Sequence, residues 1–247
     1  METDGDILMF YPEIGKEEYF LIYNMTGKDR FLDPLKLFSF PIYDNNGLNE
    51  SGFYAVGGEL TPEILQDSYS YGIFPWYVYK ETEPEWYCPQ KRYVIYPEKI
   101  HVSHSMRNLI NKQRYHVTID KAFSEVIENC RTVDQRNENE CAWLSPELRD
   151  VFIELHRRGL THSVEVWEGK KLRGGFYGFF TNGIFQGESM FSLAPSASQY
   201  GLVWLCKHPE INGKKIMLID TQFETPTFRQ LGGEYISYEK YREIMGK

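Results

Sequence analysis

The chain has 247 residues, 42% hydrophobic and 25% charged, an ordinary composition for a folded protein and large enough for one sizeable core or two modest ones. Its formal net charge is −8, which excludes a global positive field that draws in nucleic acid, so any such contact must be local. No apolar run reaches the ~20 residues of a membrane-spanning helix, and the acidic start Met1-Glu2-Thr3-Asp4 lacks the order of a signal peptide.

Residues 1–50 show little helical periodicity and are expected as an extension, partly strand at Tyr19–Tyr23, with a turn at Asp44-Asn45-Asn46-Gly47. Thr61 is expected to cap a helix that starts at Pro62 and stops at Gly72. An aromatic loop is expected over Ile73–Tyr77, then a strand at Tyr93–Tyr96 closed by Pro97. A short helix over Ser105–Lys112, a strand at His116–Ile119 and a helix over Ala122–Cys130 precede an acidic loop, Thr132–Glu140. Ser145, Pro146 and Glu147 open the next helix, whose stripe Leu148, Val151, Phe152, Leu155 is core, and Gly159 ends it. Strands at Ser163–Trp167, Leu172–Phe180 and from Ile184 are joined by the turns Glu168–Lys171 and Thr181-Asn182-Gly183. A helix at Ser198–Lys207, a strand at Ile216–Asp220 and a short helix after Thr225-Pro226 complete an α+β order with mixed strands. A boundary near 120–145 is expected, giving domains 51–135 and 136–247.

Cys88, Cys130, Cys141 and Cys206 form no CxxC and no Cys/His cluster, so no metal site is expected, and reduced thiols in the cytoplasm are the simplest reading. Cys130 and Cys206 read as core, and Cys141 has no adjacent His or basic residue to activate it. The informative positions are carboxylates set in apolar strands. Glu188 follows Ile184-Phe185-Gln186-Gly187, Asp220 ends Ile216-Met217-Leu218-Ile219, and Gln222 comes just after. A partly buried carboxylate must find hydrogen-bond or cationic partners. Either alone reads as a salt bridge or a turn cap; together they point to a polar site at the open edge of a sheet.

Five segments appear in one order: Gly57-Gly58-Glu59-Leu60-Thr61-Pro62, Gly72-Ile73-Phe74-Pro75-Trp76, His162-Ser163-Val164-Glu165-Val166-Trp167, Gly187-Glu188-Ser189-Met190-Phe191-Ser192 and Asp220-Thr221-Gln222-Phe223. Together they resemble the leucyl/phenylalanyl-tRNA–protein transferases, over residues 52–245. The resemblance implies an acetyltransferase-like (GNAT-like) C-terminal domain that uses no acetyl-CoA and no other cofactor or metal. It implies transfer of leucine or phenylalanine, and methionine less readily, from aminoacyl-tRNA to proteins with N-terminal Lys or Arg, marking them for degradation. Gln222, held by Asp220, then orients the acceptor amine, with Glu188 beside them making a negative enclave. Phe176, Phe185, Met190, Leu202 and Ile219 correspond to the family's donor side-chain pocket; read without the resemblance they are core. Trp76 and Trp143 correspond to aromatics holding the tRNA 3′-adenosine, with Tyr69 beside them, although Trp143 reads equally well as a staple before the helix at Ser145. Arg107, Lys112 and Arg114 are the cations left for tRNA phosphates.

The chain departs from the family pattern at Leu193 and Gln199, where the family is basic, and at Phe152, Thr221 and Thr227, where it has Tyr, Cys and His. Fewer cations weaken phosphate contacts. Two other readings stay open: a related aminoacyl transferase with another donor or acceptor, and a catalytically silent module binding RNA ends or peptide N-termini. No membrane partner is expected, and a monomer is favoured.

Overall fold

The computed structural model describes residues 8–10, 19–21, 52–56, 59–77, 84–134 and 144–246. The chain divides into two compact units, residues 1–90 with 141–154, and residues 91–140 with 155–247. The first carries the strands β1 (Leu8–Phe10), β2 (Tyr19–Leu21) and β3 (Phe53–Val56), helix α1 (Pro62–Tyr69), then β4 (Phe74–Tyr77) and β5 (Glu85–Tyr87), the strands ordered β2-β1-β3-β5-β4. Thr61 caps α1, its hydroxyl accepting the Ile64 N–H at 3.2 Å. β4 replaces the expected aromatic loop. Pro75 has no N–H to give a ladder, but β4 is the edge strand, where Pro is tolerated, and the Phe74 and Tyr87 rings stack across the pair at 6.4 Å. The turn expected at Asp44–Gly47 lies outside the described residues.

The second unit is built on a seven-stranded sheet. In chain order its elements are β6 (Lys91–Ile95), α2 (His104–Asn111), β7 (His116–Ile119) and α3 (Phe123–Asp134), which runs into the stretch expected as loop. Helix α4 (Pro146–Arg157) starts in the first unit and ends in the second, with the Ser145 hydroxyl accepting the Leu148 N–H at 3.1 Å. There follow β8 (Thr161–Glu168), β9 (Lys171–Thr181), β10 (Ile184–Ser192), α5 (Ala197–Lys207), the small ribbon β11 (Glu210–Ile211) and β12 (Lys214–Lys215), β13 (Leu218–Asp220), α6 (Pro226–Gln230), β14 (Glu234–Ser237) and α7 (Tyr238–Met245). The sheet order is β14-β6-β13-β10-β9-β8-β7. All its neighbours run antiparallel except β10 and β13, joined by the α5 crossover that a parallel pair requires. The fold is therefore α+β with a mixed sheet.

The expected boundary at 135/136 does not match this division. β6 and β7 belong to the same sheet as β8, because β6 pairs with the remote strands β13 and β14, a pairing with no local signal. Two helices cover opposite faces of the sheet. A Cβ built on Gly174 would meet Ala197 of α5, and one on Gly175 would approach Val126 of α3; neighbouring strand residues point to opposite sides. Gly201 lets α5 lie close, since a Cβ there would stand 2.7 Å from Val166 Cγ2. Val164, Val166, Phe176, Phe185, Leu202 and Ile219 form the core on the α5 side.

Candidate functional site

β10 and β13 pair only from Ile184↔Leu218 to Gln186↔Asp220. Beyond that point β13 ends, and β10 bulges against β9 between Gly187 and Ser189, making Glu188 the extra residue of the bulge. The strands therefore part inside the sheet, between its third and fourth members in order, and not at an open edge as the sequence suggested.

The turn after β13 is bound from several sides. Gln222 adopts φ 62°, a left-handed conformation that needs support in a residue with a Cβ. Its N–H donates to Asp220 Oδ1 at 2.8 Å, a side-chain-to-backbone bond typical of Asp at turns. The Thr221 N–H and hydroxyl both donate to the Tyr93 carbonyl, at 3.0 and 2.9 Å, and the Tyr93 N–H donates back to the Gln222 carbonyl at 3.3 Å. The Gln222 side-chain amide donates to Glu188 Oε1 at 3.3 Å. A carboxylate only accepts, so this bond turns the Gln222 NH2 toward Glu188 and leaves the amide oxygen as the acceptor for another group.

Next to this pair is a cavity of about 420 Å³, within the ~300–1,000 Å³ of small-molecule sites. Phe176, Phe185, Met190, Leu202 and Ile219, the residues singled out from the sequence, all line it. Phe176 and Phe185 meet edge to face at 5.9 Å. Glu188, Thr221 and Gln222 line it too, as do Thr227, noted above only as a departure from the family pattern, and Thr225 and Phe228, which were not anticipated as site residues. Thr225 caps α6 through the Phe228 N–H at 3.2 Å, and that cap, with the departure at Thr227, was the signal available for this wall.

Asp220 does not line the cavity. It is fully buried, and Arg92 Nη1 lies 3.7 Å from its Oδ2, both side chains without exposure. The expected enclave of two negative charges is thus corrected: Glu188 alone faces the cavity, and Asp220 reaches Gln222 through the backbone. Arg92 was missed because it sits at the start of a strand, where an arginine reads as solvated.

The other anticipated residues are spread over both units. Tyr69 is buried in the first unit, its ring edge-on to Phe152 at 6.4 Å. Trp76 falls on β4, and its side chain lies outside the described residues, as do Trp143 and Cys141. In the second unit Arg107 and Lys112 are exposed at α2; the Arg107 Nε donates to the Val102 carbonyl at 3.0 Å. Arg114 is bound to Glu168 at 2.8 Å, so its charge is partly matched. The Gln199 amide donates to the Thr227 hydroxyl at 3.4 Å, joining two of the departures. Cys130 and Cys206 are core, as expected, and burial, with Glu98 second, pushes the Cys206 thiol up to about 12, far from a nucleophile's range.

A family model described as leucyl/phenylalanyl-tRNA protein transferase matches residues 94–246, and a model of that family's N-terminal domain matches residues 58–90. A leucyl/phenylalanyl-tRNA–protein transferase of Pseudomonas fluorescens (strain Pf0-1) is 39% identical over 210 residues, 85% of this chain and 90% of its own. Another, from Hydrogenovibrio crunogenus, is 41% identical over 195 residues, 78% of this chain and 74% of its own. A solved structure of a conserved protein of unknown function from Bacteroides thetaiotaomicron VPI-5482 is 13% identical, covering 57% of this chain and 53% of its own; its TM-score of 0.39 carries no argument. These matches define an aminoacyltransferase. The chain belongs to the leucyl/phenylalanyl-tRNA–protein transferase family.

Proposed function

We propose that the chain transfers leucine or phenylalanine, and methionine less readily, from its tRNA to the N-terminal Lys or Arg of acceptor proteins in the cytoplasm, marking them for degradation. The observation that carries this reading is the Glu188–Gln222 pair at the wall of an apolar cavity. The donor ester is already activated, so the site needs only a neutral, well-placed amine and no covalent intermediate. The amide oxygen of Gln222 accepts a hydrogen bond from that amine. The amine nitrogen bonds to the aminoacyl carbonyl carbon, the ester C–O bond to ribose breaks, and the proton shed by nitrogen returns to the departing ribose oxygen. The apolar wall of Phe176, Phe185, Met190, Leu202 and Ile219 takes the donor side chain, and Glu188 draws in a cationic N-terminal residue.

Trp76 and Trp143, with Tyr69 beside them, are the proposed holders of the 3′-adenosine, where stacking contributes ~1–3 kcal/mol per base. Arg107, Lys112 and Arg114 take tRNA phosphates. The parting of the parallel strands β10 and β13 beside the cavity supports an acetyltransferase-like architecture for the second unit, with the aminoacyl end in place of an acetyl donor.

Transfer of labelled leucine from charged tRNA to a peptide beginning with Arg tests the reading. It requires label on that peptide and far less on one beginning with Asp. Equal labelling of both, or none on either, sinks it.

A further inference from the structure

Arg92 is among the largest fully buried side chains of the protein. A guanidinium out of water needs a matching charge, and Asp220 and Tyr241 attend it. Asp220 Oδ2 lies 3.7 Å from Nη1, and the guanidinium carbon stands 4.8 Å over the ring of Tyr241, itself buried, on α7. Asp220 pairs across the β6–β13 ladder with Val94, so Arg92, on the same face of β6, is its diagonal neighbour. The carboxylate is divided between two tasks. Oδ2 faces Arg92, and Oδ1 accepts the N–H of Gln222, the residue in the left-handed conformation.

We propose that Arg92, seated on the Tyr241 ring of the last helix, is a positioning residue for the transfer: it fixes the Asp220 carboxylate, which in turn fixes the Gln222 turn beside Glu188. The inference rests on the reading that Asp220 and Gln222 serve the transfer. Without a cation, a buried carboxylate bound to one N–H turns toward water or another donor, and the Gln222 turn loses the bond that holds it. The apolar wall proposed for the donor side chain is untouched by this change, because neither Arg92 nor Asp220 lines the cavity and only the Gln222 turn at its polar end is loosened. The predicted defect is therefore in turnover and not in donor binding. The last helix takes part in the same way, through one ring.

The test measures kcat and KM for Leu-tRNA with an Arg-initiated peptide, alongside melting curves. The variants are Arg92→Met, Arg92→Lys, Asp220→Asn and the double variant Arg92→Met/Asp220→Asn. Arg92→Met is expected to lower kcat by about tenfold or more with KM changed less than about twofold, since an interaction made late in the reaction is lost. Arg92→Lys, which keeps the charge, should restore a large part of kcat. Adding Arg92→Met to Asp220→Asn should cost less than about twofold further, because the two residues act as one unit. A folded Arg92→Met enzyme with wild-type kcat, beside a slow Asp220→Asn enzyme, overturns the role of Arg92 and leaves the site reading standing. Full multiplication of the two losses overturns it as well. An Asp220→Asn enzyme as fast as wild type overturns the site reading itself. Where Arg92→Met does not fold, the same cycle with Arg92→Gln, which also removes the charge, decides.

Discussion

Asp120 closes β7 in a left-handed conformation, φ 58°, and its carboxylate ties three segments together. Oδ2 accepts from His162 Nδ1 at 2.7 Å, Oδ1 accepts the Ser163 N–H at 2.9 Å, and His156 Nδ1 stands 3.8 Å away at the end of α4. Burial pushes the Asp120 carboxyl up, but the His162 and Ser163 hydrogen bonds and the two histidine charges outweigh it, so it lies below its ordinary value. A carboxyl depressed by folding adds stability that is complete above its unfolded value, ~3.9, and is lost as pH falls through the lower folded value. Asp120→Asn is accordingly expected to lower stability at neutral pH by about 1.5–3 kcal/mol, the worth of a hydrogen bond to a charged group. It should also flatten the loss of stability below about pH 4. Urea melts of both proteins across that range check it; stability curves that coincide at every pH would show that the clasp contributes nothing, and parallel, offset curves that its charge is not what matters.

At the scale of elements, α5 positions the site by lying flat on β8 and β9. Gly201→Ala places a methyl 2.7 Å from Val166 Cγ2, inside the core of a strand that cannot retreat, and lifts the helix that carries Leu202. Overpacking of this kind costs about 1–3 kcal/mol, and the displaced Leu202 should weaken leucine-donor binding in step. A thermal melt and a donor-binding titration read the two effects; a variant as stable as wild type would mean that α5 gives way freely. Capped helices were the most legible elements in the sequence. Thr61, Ser145 and Thr225 each accept the N–H expected from local pattern alone. β4 was not legible, because an edge position and cross-strand stacking rescued a segment rich in turn signals. β14 was hidden for a related reason: its residues are largely exposed, and only pairing with the remote β6 makes them a strand. Within the site, Glu188 and Asp220 stood out as charges in apolar strands. Which of them faces the cavity depends on Arg92, and that partner is brought by strand pairing that no local pattern announces.

For the whole molecule, the net charge of −8 poses the question of how an anionic tRNA is held. The proposed answer is a small patch at α2. Each phosphate neutralised adds ~0.9 to the magnitude of the slope of log K against log salt for duplex. Replacing Arg107, Lys112 and Arg114 together by Ala should weaken tRNA binding and flatten that slope, while a short aminoacyl-adenosine analogue binds nearly as before. Arg114 should contribute least, since Glu168 already meets its charge. An unchanged slope would place the phosphates elsewhere. The central claim is that the Gln222 amide, turned by Glu188 and anchored by Asp220, orients the amine that attacks the aminoacyl ester. The rate of leucine transfer to an Arg-initiated peptide by Gln222→Ala, measured together with Leu-tRNA affinity, tests it most directly. The account predicts a large fall in rate with affinity close to wild type; rate and affinity falling together, or a rate that holds, would contradict it.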